Sequence, residues 1–120
     1  MNIIVAGGRD FYNKNLVFSK LDLYITSSDT IISGHATGVD SLGELYAAKH
    51  NLDLKVIPAE WKKYGNAAGP IRNQKMASLA DKLIVFWDKK SRGTKSMITI
   101  AKKMDIPIVA FDYHGNLLNI

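Results

Sequence analysis

Apolar residues follow two rhythms along the chain. Short runs at Asn2–Ala6, Thr30–Ser33, Leu52–Ile57, Lys82–Trp87 and Pro107–Phe111 alternate with longer segments whose apolar positions return every three or four residues. A continuous run suits a strand buried on both faces, and the longer repeat suits a helix with one apolar face. The pattern predicts five strands and four helices. The first helix runs from about Asn13 to Thr26, with Val17, Leu21, Tyr24 and Ile25 inward. The second follows Gly38 and reaches about His50, with Val39, Leu42, Tyr46 and Ala47 on one stripe. The third starts around Pro70, a residue favoured in the first helical turn, and ends near Ala80. Its core-facing stripe is Arg72, Met76, Leu79 and Ala80. The fourth opens at the turn Ser91-Arg92-Gly93-Thr94 and carries Met97, Ile100, Ala101 and Met104 at helical spacing. Pro58–Gly69 is expected to be irregular, and the tail Asp112–Ile120 is expected to form a hairpin or dock on the domain.

Strict alternation of strand and helix implies right-handed βαβ units and a parallel sheet. The expected fold is α/β: a Rossmann-like three-layer α/β/α sandwich with a parallel five-stranded sheet in the order 3-2-1-4-5, one domain over residues 1–120. Ligands in such sheets bind beyond the carboxyl ends of the strands, at the switch point, here between strands one and four. Four polar loops that follow strands one to four should therefore share one edge.

Composition narrows the class but not the partner. Hydrophobic residues make up 47% and charged residues 22% of the 120, which is the balance of a globular chain. No apolar run approaches the length of a membrane span, no signal-type segment opens the sequence, and there is no cysteine, so a cytoplasmic location is expected. The net charge of +5 suits an anionic partner, but Lys62-Lys63, Lys89-Lys90 and Lys102-Lys103 are scattered pairs rather than one basic stripe. His35, His50 and His114 show no metal-ligand spacing, so neither a metal nor a cofactor is expected. Oligomeric state is left open, a homo-oligomer included.

Candidate chemistry lies in the four loops. Gly7 and Gly8 allow close backbone approach by a ligand, with Arg9 pairing an anion; the alternative is a tight turn with a surface arginine. Gly34-His35-Ala36-Thr37-Gly38 leads straight into a helix, whose free N–H groups can hold a phosphate. Thr37 either caps that helix or donates to the phosphate, and Asp40 either complements the helix dipole or binds a ribose. Arg72 offers a planar fork suited to phosphate, the alternative being an ion pair with Asp88 or another carboxylate; Asn73 beside it reads a ribose or base or ties the loop. Arg92, Gly93 and Thr94 combine charge with an exposed helix start. Trp61 and Tyr64 are stacking surfaces for a base, or anchors of a small cluster. Asp88 closes the fourth strand as a turn former or a catalytic acid.

Taken together, Gly8-Arg9-Asp10-Phe11, Ser33-Gly34-His35-Ala36-Thr37-Gly38-Val39-Asp40, Ala59-Glu60-Trp61, Ala68-Gly69-Pro70-Ile71-Arg72-Asn73 and Arg92-Gly93-Thr94 resemble, in order, the small DUF2493 proteins of the SLOG superfamily, in the YspA/YpsA-related branch. The resemblance implies a Rossmann-like fold and a site for nucleotides or nucleotide-derived molecules. The wider superfamily includes the LOG-type nucleotide phosphoribohydrolases and the DNA-processing DprA proteins. The LOG pattern is matched by Arg72 with Met76 and by Gly93-Thr94, but its essential glutamate falls at Met97, and Lys90-Ser91-Arg92 replaces its Pro-Gly-Gly. N-glycosidic cleavage needs a group that stabilises an oxocarbenium-like state or activates water; the spacing singles out none of Asp40, Glu44 and Asp88 as that group. The expected function is binding of a nucleotide or nucleotide-derived ligand, as a signal sensor or sponge. The alternatives are a hydrolase acting on an N-glycosidic or phosphate bond, with catalytic residues unassigned, and single-stranded nucleic-acid binding.

Overall fold

A computed structural model describes all residues, 1–120. Its strands are β1 (Asn2–Gly7), β2 (Thr30–Ser33), β3 (Asp53–Val56), β4 (Lys82–Phe86) and β5 (Ile108–Phe111). All neighbouring pairs are parallel and the order is β3-β2-β1-β4-β5, as the alternation of elements predicts. The helices are α1 (Lys14–Leu21), α2 (Val39–Lys49), α3 (Trp61–Tyr64), α4 (Ala68–Leu79) and α5 (Arg92–Lys103).

The central strands bury alternate residues on opposite faces, which makes two cores. Ile3, Val5, Ile31, Ile84 and Phe86 join Val17, Leu21, Val39 and Tyr46 from α1 and α2. Ile4, Ala6, Ile32, Leu83 and Val85 join Met76, Ala77, Met97, Ile98 and Ala101 from α4 and α5. This explains why the strand runs are apolar without interruption.

Several boundaries differ from the periodic reading. Regular helix α1 stops at Leu21, and the chain continues in tight turns through the Leu23 N–H to Lys20 O and Tyr24 N–H to Leu21 O bonds. Tyr24 and Ile25 still pack on the core, so their spacing reported burial rather than helix length. The Pro58–Gly69 connection is mostly ordered: α3 and a 3₁₀ turn at Gly65–Ala67 fill it, and α4 begins at Ala68, two residues before Pro70. The buried stripe of α4 is Asn73, Met76 and Ala77, leaving Leu79 exposed in the last turn. On α5 it is Thr94, Met97, Ile98 and Ala101, with Met104 exposed at the C-cap. Both buried faces are shifted toward the N-terminal end of their helices, which leaves the last-turn apolar residues outside the core. The tail turns back, with an antiparallel bridge from Phe111 to Leu117 and a bond from Leu118 N–H to Ala110 O at 2.8 Å. No helix is long and apolar enough to cross a membrane.

Candidate functional site

The exits of β1 to β4 meet in one cleft made of two adjoining chambers. The outer chamber, about 370 Å³, is walled by Arg9, Gly34, His35, Ala36, Thr37 and Arg72, with Pro58, Ala59 and Trp61 closing the far side. The inner chamber, about 100 Å³, lies over the β1/β4 switch point. Gly7, Asp40, Asn73, Ser91, Gly93 and Thr94 surround it, and Ala6, Met76 and Met97 floor it. Arg9, Ala36 and Arg72 belong to both chambers and mark their junction.

Arg72 is held rather than free. Its Nη1 donates to the Gly34 carbonyl at 2.6 Å and its Nε to Asn73 Oδ1 at 2.9 Å. Its guanidinium pairs with neither Asp88 nor any other carboxylate. Burial lowers its pKa, and the field of Asp40 works against that shift. A side chain at position 34 would bring its Cβ within 2.6 Å of Arg72 Nη1 and 2.9 Å of Asp40 Oδ2, so glycine there lets the two approach the same backbone segment. Arg9 is exposed, with its guanidinium carbon 5.7 Å from the Trp61 ring centroid, a cation–π contact worth about 0.5–1 kcal/mol at an exposed site.

The loop between β2 and α2 is closed by its own chain. Val39 N–H donates to Gly8 O at 3.2 Å, Ala36 N–H to Asp40 Oδ2 at 3.2 Å, and His35 N–H to Ser33 Oγ at 3.1 Å. Thr37 does not cap α2; its hydroxyl donates to Arg9 O at 3.0 Å and ties the two loops. Burial pushes the Asp40 carboxyl up to about 6, aided by Glu44, while the Ala36 N–H, Arg72 and Arg9 act in the opposite direction. His35 has a left-handed backbone (φ 61°), and its Nδ1 sits 2.9 Å from Glu44 Oε2, which also accepts from the Ser33 hydroxyl at 2.7 Å.

Asp88 is a turn former: its Oδ1 accepts from Lys90 N–H at 2.9 Å and Ser91 N–H at 2.8 Å. The Ser91 N–H bond is the main reason its pKa falls below the usual value. Ser91 then caps α5 through its bond with Thr94 N–H. Arg92 and Gly93 do not form a free turn but the first residues of α5, and no protein acceptor takes either N–H.

Of the residues singled out in the sequence, Arg9, Gly34, His35, Thr37 and Arg72 meet at the outer chamber, and Gly7, Asp40, Asn73, Gly93 and Thr94 at the inner one. Gly8 and Gly38 do not line the cleft; they pack against each other beneath it. Arg92 points away, into a separate hollow with Pro70, Gln74 and Lys95. Trp61 closes the outer chamber, while Tyr64 lines neither. Sequence reasoning missed Pro58 and Ala59 as lining residues, although their place after β3 puts them on the same edge. It also missed Tyr113, which stacks on Phe11 with centroids 4.0 Å apart and backs Gly8. Nothing in the tail's sequence signals that contact. Burial pushes the Tyr113 hydroxyl up to about 12.

A family model described as YAcAr: YspA, cpYpsA-related SLOG family matches residues 1–64, the part that carries the Gly7–Arg9 and Gly34–Asp40 loops. Compared with curated proteins and with solved structures, the chain gave no match.

Proposed function

The chain belongs to the YspA, cpYpsA-related SLOG family, and on that premise we propose that its cleft binds a nucleotide or a nucleotide-derived small molecule. SLOG domains generally bind ligands of that class. The observation that carries the reading is the convergence on one cleft of Arg9, Arg72 and the first turn of α5, where the Gly93 N–H has no protein acceptor. A phosphate fits their chemistry: two guanidinium groups, and backbone donors at the positive end of a helix dipole. The outer chamber then takes the base, with the Trp61 ring and Pro58 as apolar surfaces.

A panel of mono-, di- and cyclic nucleotides and ADP-ribose derivatives tests this by thermal shift. A ligand at 100 times its Kd stabilises the folded state by about 2.7 kcal/mol. Replacing Arg72 with Ala should weaken that ligand about 10- to 100-fold, the usual cost of a charged hydrogen bond. Arg92→Ala should leave it unchanged, since Arg92 lies outside the cleft. Equal losses in both variants, or no stabilisation by any member of the panel, would overturn the assignment.

One observation supports hydrolysis as a second reading. The bond of Nδ1 to Glu44 orients the His35 ring at the wall of the outer chamber and leaves Nε2 to exchange a proton with water or a leaving group. Against it, Met97 stands where the related hydrolases carry their acid, and it is 1% exposed in the floor. Product analysis after prolonged incubation decides between the two: intact nucleotides across the panel leave binding alone.

A further inference from the structure

Asp40 is 6% exposed, yet only one of its two oxygens is used by the protein. Oδ2 takes the Ala36 N–H, and no protein group donates to Oδ1. No ion pair involves the carboxylate: Arg72, the neighbouring cation, directs Nη1 to Gly34 O and Nε to Asn73 Oδ1. Tyr113 Oη is the one side-chain polar atom that is both sealed and unpartnered, so Asp40 Oδ1 is reachable from the chamber. Buried carboxylates are ordinarily paired or fully hydrogen-bonded. Among the other side-chain oxygens of the inner chamber, Asn73 Oδ1 already accepts from Arg72, Ser91 Oγ accepts from Thr94 N–H, and the Ser91 and Thr94 hydroxyls share one hydrogen bond at 3.0 Å. Beneath lie Met76 and Met97, which offer an apolar floor.

We infer that Asp40 reads the sugar of the ligand: its free Oδ1 accepts hydrogen bonds from the hydroxyl groups of a ribose carried by the nucleotide. This rests on the nucleotide reading above and adds to it a preference for ribo- over dideoxy-ligands. A ligand hydroxyl supplies the donor that the fold withholds, and the methionine floor accommodates the carbon face of the ring. A phosphate placed directly on Asp40 would instead meet the carboxylate and, behind it on α2, Glu44.

The two placements differ in the sign of their proton linkage. The charged groups that face Asp40 are Arg72 on α4, Arg9 after β1, and Glu44 on α2 with its partner His35; α5 sends no charged side chain into the chamber. Since Asp40 titrates near 6, a hydroxyl donor binds best above that pH, where the group is an acceptor on both oxygens, and loses affinity as the pH falls. A phosphate on Asp40 gains affinity as the pH falls.

The test compares ribonucleoside 5′-monophosphates (AMP, GMP, CMP, UMP) with their 2′,3′-dideoxy counterparts, with ribose 5-phosphate added, by calorimetry from pH 7.5 to 5. The ratio of the two affinities cancels titration of the ligand's own phosphate. We expect the ribo form to bind about 10- to 100-fold more tightly at pH 7.5, with the advantage shrinking by about tenfold at pH 5. In Asp40→Asn the advantage should be smaller and flat with pH, with the variant's fold checked by circular dichroism. A ratio near one in the wild type, or one that grows on acidification, overturns the role of Asp40 while leaving the cleft a nucleotide site. Absence of binding by every ribonucleotide and by ribose 5-phosphate removes both.

Discussion

The starts of α2 and α5 sit on the same edge of the sheet, each after a strand and a short loop, but their backbone donors are tied differently. At the start of α2 another loop takes the first N–H, Val39 to Gly8 O, and in the preceding loop the Asp40 carboxylate takes the Ala36 N–H, while the Asp40 and Ser41 N–H groups have no protein acceptor. Gly38, at φ 72°, lies so close to Gly8 O and Arg9 that the two loops form one block. At α5 the serine cap covers Thr94, Lys95 bonds Ser91 O at 3.1 Å, and the Arg92 and Gly93 N–H groups have no protein acceptor, Gly93 lining the inner chamber. Two similar sequences thus serve different ends. One helix start fixes the loops that shape the cleft, and the other faces what enters it.

The largest effect that would expose this difference is expected at Gly38. An alanine there must hold a left-handed backbone and drive its Cβ into Gly8 O and the Arg9 backbone. The combined strain and overpacking should cost about 4 kcal/mol in urea unfolding. A loss below about 1 kcal/mol would mean the two loops are not a rigid block.

Asp40 tests the same block through its charge. Burial is the first cause of its raised pKa, so the folded protein binds this proton more tightly than the unfolded chain does. The stability the proton brings is full below the unfolded value of about 4 and is lost as the pH rises through about 6. Asp40→Asn should therefore stabilise the ligand-free protein by about 2 kcal/mol at pH 7.5 and by almost nothing at pH 3.5. A variant less stable at pH 7.5 would show that the Ala36 bond outweighs the burial of charge. The expected gain marks the carboxylate as a group costly to the ligand-free fold.

A smaller effect is expected at the approach to α5. Asp88→Ala removes two backbone hydrogen bonds and should cost about 1 kcal/mol. Because its pKa is lowered, first by the Ser91 N–H, this contribution is present above the ordinary carboxylate range and fades as the pH falls through the lower folded value. Parallel melts of wild type and variant from pH 7 to 2.5 should converge at the acid end. The smallest effect is expected at Gly93. A Cβ there meets nothing within 4 Å, so Gly93→Ala should change stability by less than about 0.5 kcal/mol. It should still weaken a ligand that approaches the α5 turn. Set beside Gly38→Ala, it separates a glycine needed by the fold from one whose space lies open to a ligand.

The central strands were legible because β1 and β4 carry unbroken apolar runs, whereas the edge strand β3 alternates polar and apolar residues and is exposed, and the parallel order followed from the helices between the strands. Helix faces were less so: Leu79 and Met104 continue the apolar spacing of α4 and α5 but fall in or after the last turn, beyond the sheet they were expected to cover. Within the site, the sequence pointed to the right loops but not to the state of their donors. Arg92 and Arg72 both looked like anion ligands. A helix position that faces Asn73 and the sheet turned Arg72 into the cleft, and a position on the outer face of α5 turned Arg92 out of it.

By itself, then, the sequence determined which segments become strands and helices, the α/β class, the strand order, and the edge on which the polar loops gather. These follow from periodicity and chain chirality, which are local and act along the chain. Only the tertiary structure decided that Gly8 O takes the first N–H of α2, that Tyr113 backs the Gly7–Arg9 loop, and that Asp40 is buried with one oxygen free. Those outcomes depend on which groups far apart in the chain come within hydrogen-bond distance, and spacing along the sequence carries no record of that.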